Sequence, residues 1–332
     1  MKRVGFVYNR LLDKEFIKQT IQKASKHKTR RRTVRKVLAH IDEYTDKIYE
    51  MLFSEKIEMR PTHTKIIKER GKERLITVSP FYPNQILDYL LVEATKPLIR
   101  KSMYQYCVGN VDKRGIMYGK KVMERHINKY KYYMKLDIRH FYQNVCPETL
   151  IRLFSRKIKD QRFLNFMRQV ISKQDLPIGC YYSQWFSNFY LCSLDHYIKE
   201  RINCPFYIRY VDDMIFGANN KKVLRKAYYE AKRYIFNLGL EFKYRPTFRE
   251  FVNFLGFVYR RCLIKLRHSI FYRLKQTIVK VRRHLCFSLA QRLISYFSWL
   301  KNLKSGYWFY KRQIYPTVKL GKLKTIMSNG GI

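Results

Sequence analysis

Phe206-Tyr207-Ile208-Arg209-Tyr210-Val211-Asp212-Asp213-Met214-Ile215-Phe216 is the stretch on which the reading of the chain turns. Aromatic and β-branched residues on both sides favour pleated, half-buried backbone, so it predicts two strands meeting at a turn that carries adjacent carboxylates. In a basic chain that is an odd place for negative charge. Neighbouring carboxylates repel and drift toward protonation unless something positive sits between them. A divalent ion that prefers oxygen ligands, Mg²⁺ above all, meets that need. A solvated turn is the plain alternative for Tyr210 to Asp213 taken alone.

A second acidic site changes the balance. Tyr132-Tyr133-Met134-Lys135-Leu136-Asp137-Ile138 is another strand-like run ending in a carboxylate, with Phe141 and Tyr142 just beyond it. An acid at a strand end and an acid pair on a hairpin tip would converge on two metal ions. Such a pair activates an attacking hydroxyl and stabilises the leaving oxygen in phosphoryl transfer, where positioning and charge neutralisation supply most of the catalysis.

Composition names the class of partner. The 332 residues hold 69 Lys and Arg against 25 Asp and Glu, a net charge of +44, and that excess has to face a polyanion. Nucleic acid fits, with affinity gained by counterion release, and 28 Tyr and 22 Phe offer stacking platforms for unpaired bases. A hydrophobic content of 46% argues against disorder. The sequence has no apolar run long enough to span a bilayer, so a membrane is not the expected partner. Seven Cys without CxxC spacing read as reduced thiols in a cytoplasmic protein, not as a zinc site or disulfide frame, and the N-terminus has no signal-like apolar stretch.

Working outward toward the N-terminus, residues 106–115 form a glycine-punctuated loop without a GxxxxGK[ST] fingerprint, assigned to close backbone approach, with the template as the candidate neighbour. Ile86, Leu87, Leu90, Leu91, Ala94 and Leu98 give a helical stripe, with Pro97 as a site of bending. Residues 65–68 and 74–78 predict a hairpin turning at Gly71; its Lys65, Lys68, Lys72 and Arg74 suit a triphosphate, Arg having the planar donor fork for phosphate oxygens. Residues 23–36 are densely basic, with Arg30, Arg31 and Arg32 placed for phosphate contact, and run into one amphipathic helix marked by Val34, Leu38, Ile41, Ile48 and Leu52.

Toward the C-terminus, residues 147–173 read as helical. Residues 176–184, with Pro177-Ile178-Gly179 and Ser183-Gln184, read as a loop leading into an aromatic helix over 185–191, a place for a template base or incoming nucleotide to bind backbone amides, a capping turn being the plain alternative. A helix over 221–238 stops at Gly239, residues 251–259 form an apolar strand pair or bend, and Leu274, Ile278, Val281 and Leu285 form one face of a basic helix suited to lie along a duplex.

The order of basic hairpin, acid-x-x-x-aromatic-aromatic strand, Pro-x-Gly loop, Tyr-x-Asp-Asp hairpin and Phe-Leu-Gly-Phe bend resembles reverse transcriptases over residues 60–260. Within that family, Ile178-Gly179 followed by Ser183-Gln184 resembles the IGxxxSQ pattern of enzymes encoded by diversity-generating retroelements, and Ser298-Trp299 is similar too. Cys180-Tyr181-Tyr182 departs from the Asn-Leu-Thr of that subgroup. Retron, group II intron and antiphage-defence enzymes share the core, although retrons usually carry other residues at the Ser183-Gln184 position.

The resemblance implies an α+β right-hand polymerase: a basic N-terminal helical extension over 1–58, fingers over 59–130, a palm with the catalytic acids over 131–262 and a helical thumb over 263–332. It implies that Asp137, Asp212 and Asp213, with the backbone of Ile138, hold two Mg²⁺ ions, or Mn²⁺ in their place, Asp213 being the more dispensable. Lys68, Lys72, Arg74, Phe141, Tyr142, Ile178 and Gly179 would bind the dNTP, Tyr142 excluding a ribose 2′-hydroxyl. Phe254, Leu255, Gly256 and Phe257 would grip the primer; Arg30, Arg31, Arg32 and Gln184 would hold nucleic acid. The expected partners are a structured RNA template, a DNA or RNA primer and dNTPs, with a small accessory protein or an oligomer left open. Ile178 stands where more faithful relatives have glutamine, which implies misincorporation opposite template adenine. A catalytically idle RNA-binding scaffold and an RNA-copying RNA polymerase are the alternative functions.

Overall fold

The computed structural model describes residues 3–69, 71–303 and 306–329. Three helices come first: α1 (Lys14–Ser25), α2 (Arg32–Ala39) and α3 (Ile41–Phe53). The Asp13 carboxylate starts α1 by accepting from the Glu15 N–H, one of the donors that a helix start leaves unpaired. The single helix expected through Val34 and Leu52 is two, because His40 leaves helical geometry at φ −123° and ψ 42°. That break lets Val34, Val37, Ile48 and Leu52 all reach the core.

The hairpin β1 (His63–Glu69) and β2 (Lys72–Val78) follows, closed by Gly71 at φ +77°. It is a two-stranded sheet of its own, and Ile66, Ile67 and Leu75 stay exposed along it. Next come α4 (Ile86–Ser102), which runs on through Pro97, then α5 (Ile116–His126), β3 (Tyr132–Asp137) and α6 (Phe141–Asn144). The helical stretch expected over 147–173 divides into α7 (Pro147–Ser155) and α8 (Gln161–Val170), where the Asp160 carboxylate caps a new start by accepting from the Phe163 N–H. Then follow α9 (Tyr181–Tyr190), α10 (Cys192–His196), β4 (Phe206–Tyr210), β5 (Asp213–Ala218) and α11 (Lys221–Phe236). The chain continues through β6 (Phe248–Arg249), β7 (Phe251–Phe254), β8 (Phe257–Arg260) and β9 (Leu263–Leu266), then α12 (His268–Arg283), α13 (Phe287–Leu300), α14 (Gly306–Phe309) and α15 (Leu320–Asn329).

The central sheet has strand order β4-β5-β3-β6, and β7-β8-β9 form a third sheet. Successive side chains of a strand point to opposite faces, and the two faces of the central sheet feed two separate cores. Met134, Leu136, Tyr207, Met214 and Phe216 pack with α1, α3, α4, α9 and α11. Tyr133, Phe206, Ile208 and Ile215 pack with α5, with β7 and β8, and with α12 and α13. Burial on both faces explains why these strands read as nearly unbroken apolar runs. The acids sit where the strands leave the cores, Asp137 at the end of β3, Asp213 at the start of β5 and Asp212 on the β4–β5 turn. The helices of residues 14–53 share the first core with α4 and the sheet, and do not form a layer of their own.

Candidate active site

Antiparallel pairing of β3 with β5 sets Asp137 directly opposite Asp213, and the β4–β5 turn adds Asp212 beside them. Facing residues in such a pair have Cα atoms about 4.5–5.5 Å apart, so the register alone brings the two distant acidic stretches together. Burial, and then the charge of Asp137, push the Asp212 carboxyl up to about 6. Asp137 has partners as well: Tyr244 donates its hydroxyl to Oδ2 at 3.1 Å, and Lys243 Nζ stands 3.9 Å from the same oxygen. Burial first, then Asp137, raise the Tyr244 hydroxyl to about 12.

Asp213 is occupied differently, with Lys135 Nζ 2.8 Å from its Oδ1. Its charge is met by a neighbour, whereas Asp137 and Asp212 press on each other. Among the described residues, no three His, Cys, Asp or Glu side chains form a ready-made metal cluster. Asp137 and Asp212, whose carboxylates press on each other, are oxygen donors of the kind a hard divalent cation would take. The bridge joining Ile138 to Phe242 is closed by bonds from the Arg139 N–H to the Glu241 carbonyl and from the Lys243 N–H to the Asp137 carbonyl. The Ile138 carbonyl stands outside those two bonds.

The β1–β2 register divides the basic residues between two faces. Ile67 pairs with Arg74 and Lys65 with Ile76, so Lys65 shares the face of Arg74; Lys68 pairs with Glu73 on the other face. Lys68 Nζ is 3.2 Å from the Glu73 carboxylate. Lys65, not Lys68, is thus the described lysine beside Arg74, and the side chain of Lys72 lies outside the described residues. Tyr142 is half-buried within electrostatic range of Asp212, Tyr210 and Arg74, and burial chiefly raises its hydroxyl. Phe141 is a core residue at 3% exposure, with its ring 5.7 Å from that of Tyr142. It packs in the first core beside Tyr142.

The Pro177-Ile178-Gly179 loop is held at three points. The Thr77 N–H donates to the Ile178 carbonyl at 2.7 Å, the Leu176 N–H to the Tyr142 carbonyl at 3.1 Å, and Ser183 Oγ to the Pro177 carbonyl at 2.7 Å. Gly179 has φ +122°, and a Cβ there would lie 3.0 Å from Ile76 Cγ2 and closer still to the Thr77 carbonyl oxygen. The glycine is what allows β2 to lie against the loop. Gln184 is exposed on the first turn of α9 while Ser183 and Ser187 are buried.

Leu255 and Gly256 make the two-residue β7–β8 turn at φ +48° and +82°, the handedness that matches strand twist. Phe254 and Phe257 are 0% exposed and Leu255 9%. The side chains of Phe254, Leu255 and Phe257 thus anchor the turn from within the core. Leu255 packs on Gly119 of α5, and Gly256 lies against the Trp299 ring of α13. Arg30, Arg31 and Arg32 are exposed before and at the start of α2, and Arg31 joins Lys36, Arg60, His63 and Tyr82 around a groove of about 460 Å³.

The 106–115 loop makes the expected close backbone approach, at Gly109. A Cβ on Gly109 would lie 2.8 Å from both the N and Cγ2 of Val211, so this glycine makes room for the Tyr210-Val211 turn. Arg209, Asp195 and Asn188, which surround the same turn, carried no local signal beyond charge inside an apolar run.

Residues 66–258 match the family described as reverse transcriptase (RNA-dependent DNA polymerase). The chain belongs to that family. The fold of this reverse transcriptase is accordingly the right-hand polymerase fold, with the acids on its central sheet. It is 27% identical over 135 residues to the Retron Ec83 reverse transcriptase of Escherichia coli, covering 37% of this chain and 42% of that protein. It is 28% identical over 131 residues to the Retron Ec73 reverse transcriptase of the same organism, covering 35% and 42%. The matched segment thus spans less than half the length of either curated relative. Among solved structures, apo telomerase from Candida tropicalis truncated from its C-terminal domain superposes with a TM-score of 0.48 at 13% identity, over 62% of this chain and 55% of that one. No helix among the described residues is long and apolar enough to cross a membrane.

Proposed function

We propose that the protein is an RNA-directed DNA polymerase that extends a primer 3′-hydroxyl by in-line attack on the α-phosphorus of a dNTP, releasing pyrophosphate. The observation that carries this reading is the strand register that sets Asp137 opposite Asp213 with Asp212 on the adjoining turn. Asp137 and Asp212, with the Ile138 carbonyl, would hold two Mg²⁺ ions, Mn²⁺ serving in their place. Bound there, the ions would lower the pKa of the primer hydroxyl and neutralise charge on the leaving phosphates. Asp213, tied to Lys135, is the dispensable member.

Arg74, with Lys65 on the same face, binds the triphosphate; Ile178-Gly179 and Thr77 fix the loop against which the new base pair forms; Tyr142 closes the space a ribose 2′-hydroxyl would need. The β7–β8 turn offers its backbone to the primer terminus, and the groove at Arg31 takes nucleic-acid phosphates. In domain terms, 59–130 serve as fingers, 131–262 as palm and 263–332 as thumb, with 1–58 as a basic extension. The net charge of +44 supports a structured RNA as the standing template partner, with an accessory protein or oligomer compatible with the same surface.

For the finer role, Ile178 in place of a hydrogen-bonding glutamine, with Ser183-Gln184, supports error-prone copying in a diversity-generating retroelement. The two retron enzymes among the relatives favour the other reading, a retron-like or defence-associated enzyme copying a noncoding RNA. The deciding experiment is primer extension on an RNA template with Mg²⁺. Product from the parent, and none from Asp212→Ala that still binds RNA, is the expected result. Equal inactivity of both would leave an RNA-binding scaffold instead, and a preference for rNTPs an RNA polymerase. Error spectra opposite template adenine separate the two finer roles.

A further inference from the structure

Arg209 is a charged residue with 0% exposure, inside β4 and two positions before the turn that carries Asp212. A buried guanidinium is tolerated only when it is paired and its hydrogen bonds are met. Here all five N–H groups have acceptors, the full complement for this side chain. Nε donates to Asp195 Oδ1 at 2.7 Å and Nη2 to Asp195 Oδ2 at 2.6 Å. Nη2 also reaches the Asn188 carbonyl at 3.3 Å, and Nη1 donates to Asn188 Oδ1 at 3.0 Å. The remaining bond runs from Nη1 to the carbonyl of Val211 at 2.9 Å.

That last acceptor sets this network apart from an ordinary buried ion pair. Val211 is a β-branched residue at φ +56°, a conformation that costs free energy and persists only where its surroundings enforce it. Its carbonyl belongs to the same planar peptide as the Asp212 N–H, so whatever fixes the carbonyl fixes the unit from which the Asp212 side chain hangs. The other side of the turn is equally confined. Asn188 Nδ2 donates to the Gly109 carbonyl at 2.7 Å, the Val108 N–H to the Arg209 carbonyl at 2.8 Å and the Arg209 N–H to the Tyr106 carbonyl at 3.0 Å. Gly109 thereby lies directly against Val211. Tyr207 completes the acceptor side by donating its hydroxyl to Asp195 at 2.8 Å.

We propose that Arg209, braced by Asp195 and Asn188, is a positioning residue that holds the strained Val211 peptide and through it sets where Asp212 stands relative to Asp137. The proposal rests on the metal-dependent polymerase reading above. Lysine keeps the charge beside Asp195 but offers its donors from a single point, and so releases the Val211 carbonyl. Val211→Gly leaves the ion pair whole and removes the side chain that makes the turn conformation specific.

The test compares the parent with Arg209→Lys, Val211→Gly and the double variant. Three quantities are read: Mn²⁺ affinity of the protein alone by electron paramagnetic resonance, the Mg²⁺ half-saturation of primer extension, and Tm. Arg209→Lys is expected to weaken Mn²⁺ binding and raise the Mg²⁺ midpoint tenfold or more, with RNA affinity within twofold of the parent. Val211→Gly should move both midpoints in the same direction. The double variant should fall well short of the product of the single effects, because both act on one peptide. If Arg209→Lys fails to fold, Val211→Gly alone gives the answer. Metal midpoints within twofold of the parent in every folded variant, a change in Tm alone, or fully multiplicative effects would overturn the proposal. A parent without metal-dependent extension would instead overturn the polymerase reading itself.

Discussion

Gly179→Ala puts the smallest side chain between the nucleotide loop and β2. At φ +122° an L-residue costs about 1–3 kcal/mol. The new Cβ would also stand 3.0 Å from Ile76 Cγ2 and 3.2 Å from the Thr77 carbonyl carbon. Relief requires β2 to retreat by about 1 Å, which takes the 2.7 Å Thr77 to Ile178 hydrogen bond beyond useful range and forfeits a further ~1 kcal/mol. The total is about 2–4 kcal/mol on these two terms. The strain has an easy outlet, because the hairpin forms a two-stranded sheet of its own and leaves Ile66, Ile67 and Leu75 exposed. The fingers strand should therefore lift off the loop while the cores stay intact. Arg74 and the loop would then no longer be held in register, and each 1.4 kcal/mol lost from nucleotide binding is about tenfold. Steady-state primer extension should show a dNTP KM raised at least ~10-fold, with kcat much less affected and Tm lowered by only a few degrees. A folded variant whose KM stays within twofold of the parent would refute the idea that this contact aligns the nucleotide site.

Other perturbations have equally definite outcomes. Asp88 is 2% exposed in α4, and burial raises its carboxyl to about 8 while the Tyr181 N–H donates to it. An acid whose folded pKa is raised stabilises the fold fully below its unfolded value near 4 and loses that contribution as pH rises through about 8. Asp88→Asn keeps an acceptor for the Tyr181 N–H, so thermal melts from pH 5 to 9 should show a steeper loss of Tm in the parent than in the variant; parallel profiles would contradict this. Tyr142→Ala opens the space beside Asp212 and should admit rNTPs that the parent rejects, read as a drop of tenfold or more in dNTP over rNTP selectivity. Ile178→Gln restores a hydrogen-bonding side chain at the nascent pair and should reduce misincorporation opposite template adenine several-fold, scored by sequencing the cDNA; an unchanged error spectrum would dissociate this position from fidelity.

The sequence by itself determined what is local. Aromatic and β-branched runs along Tyr132 to Asp137 and Phe206 to Phe216 marked the strands, the acids at their ends marked the candidate site, and Gly71 and Gly239 marked a turn and a helix stop, because each signal lies within a few residues of its effect. Charge pointed to a polyanionic partner for the same reason, being a sum that needs no geometry. Tertiary structure decided everything that depends on register or on which segments meet. Pairing placed Lys68 on the face opposite Arg74 and brought Lys65 forward. Burial placed the side chains of Phe141, Phe254, Leu255 and Phe257 inside the cores. The purpose of Gly109 and Gly179 appeared only with their neighbours, Val211 and Thr77, in place. Arg209 is the clearest case: within an apolar run it gives no sign of its role, since its acceptors on Asp195, Asn188 and Val211 converge only after β4, α9 and α10 have packed. Hydrogen bonds between segments distant in the chain leave no periodic trace, and those bonds are what set the geometry of the acids.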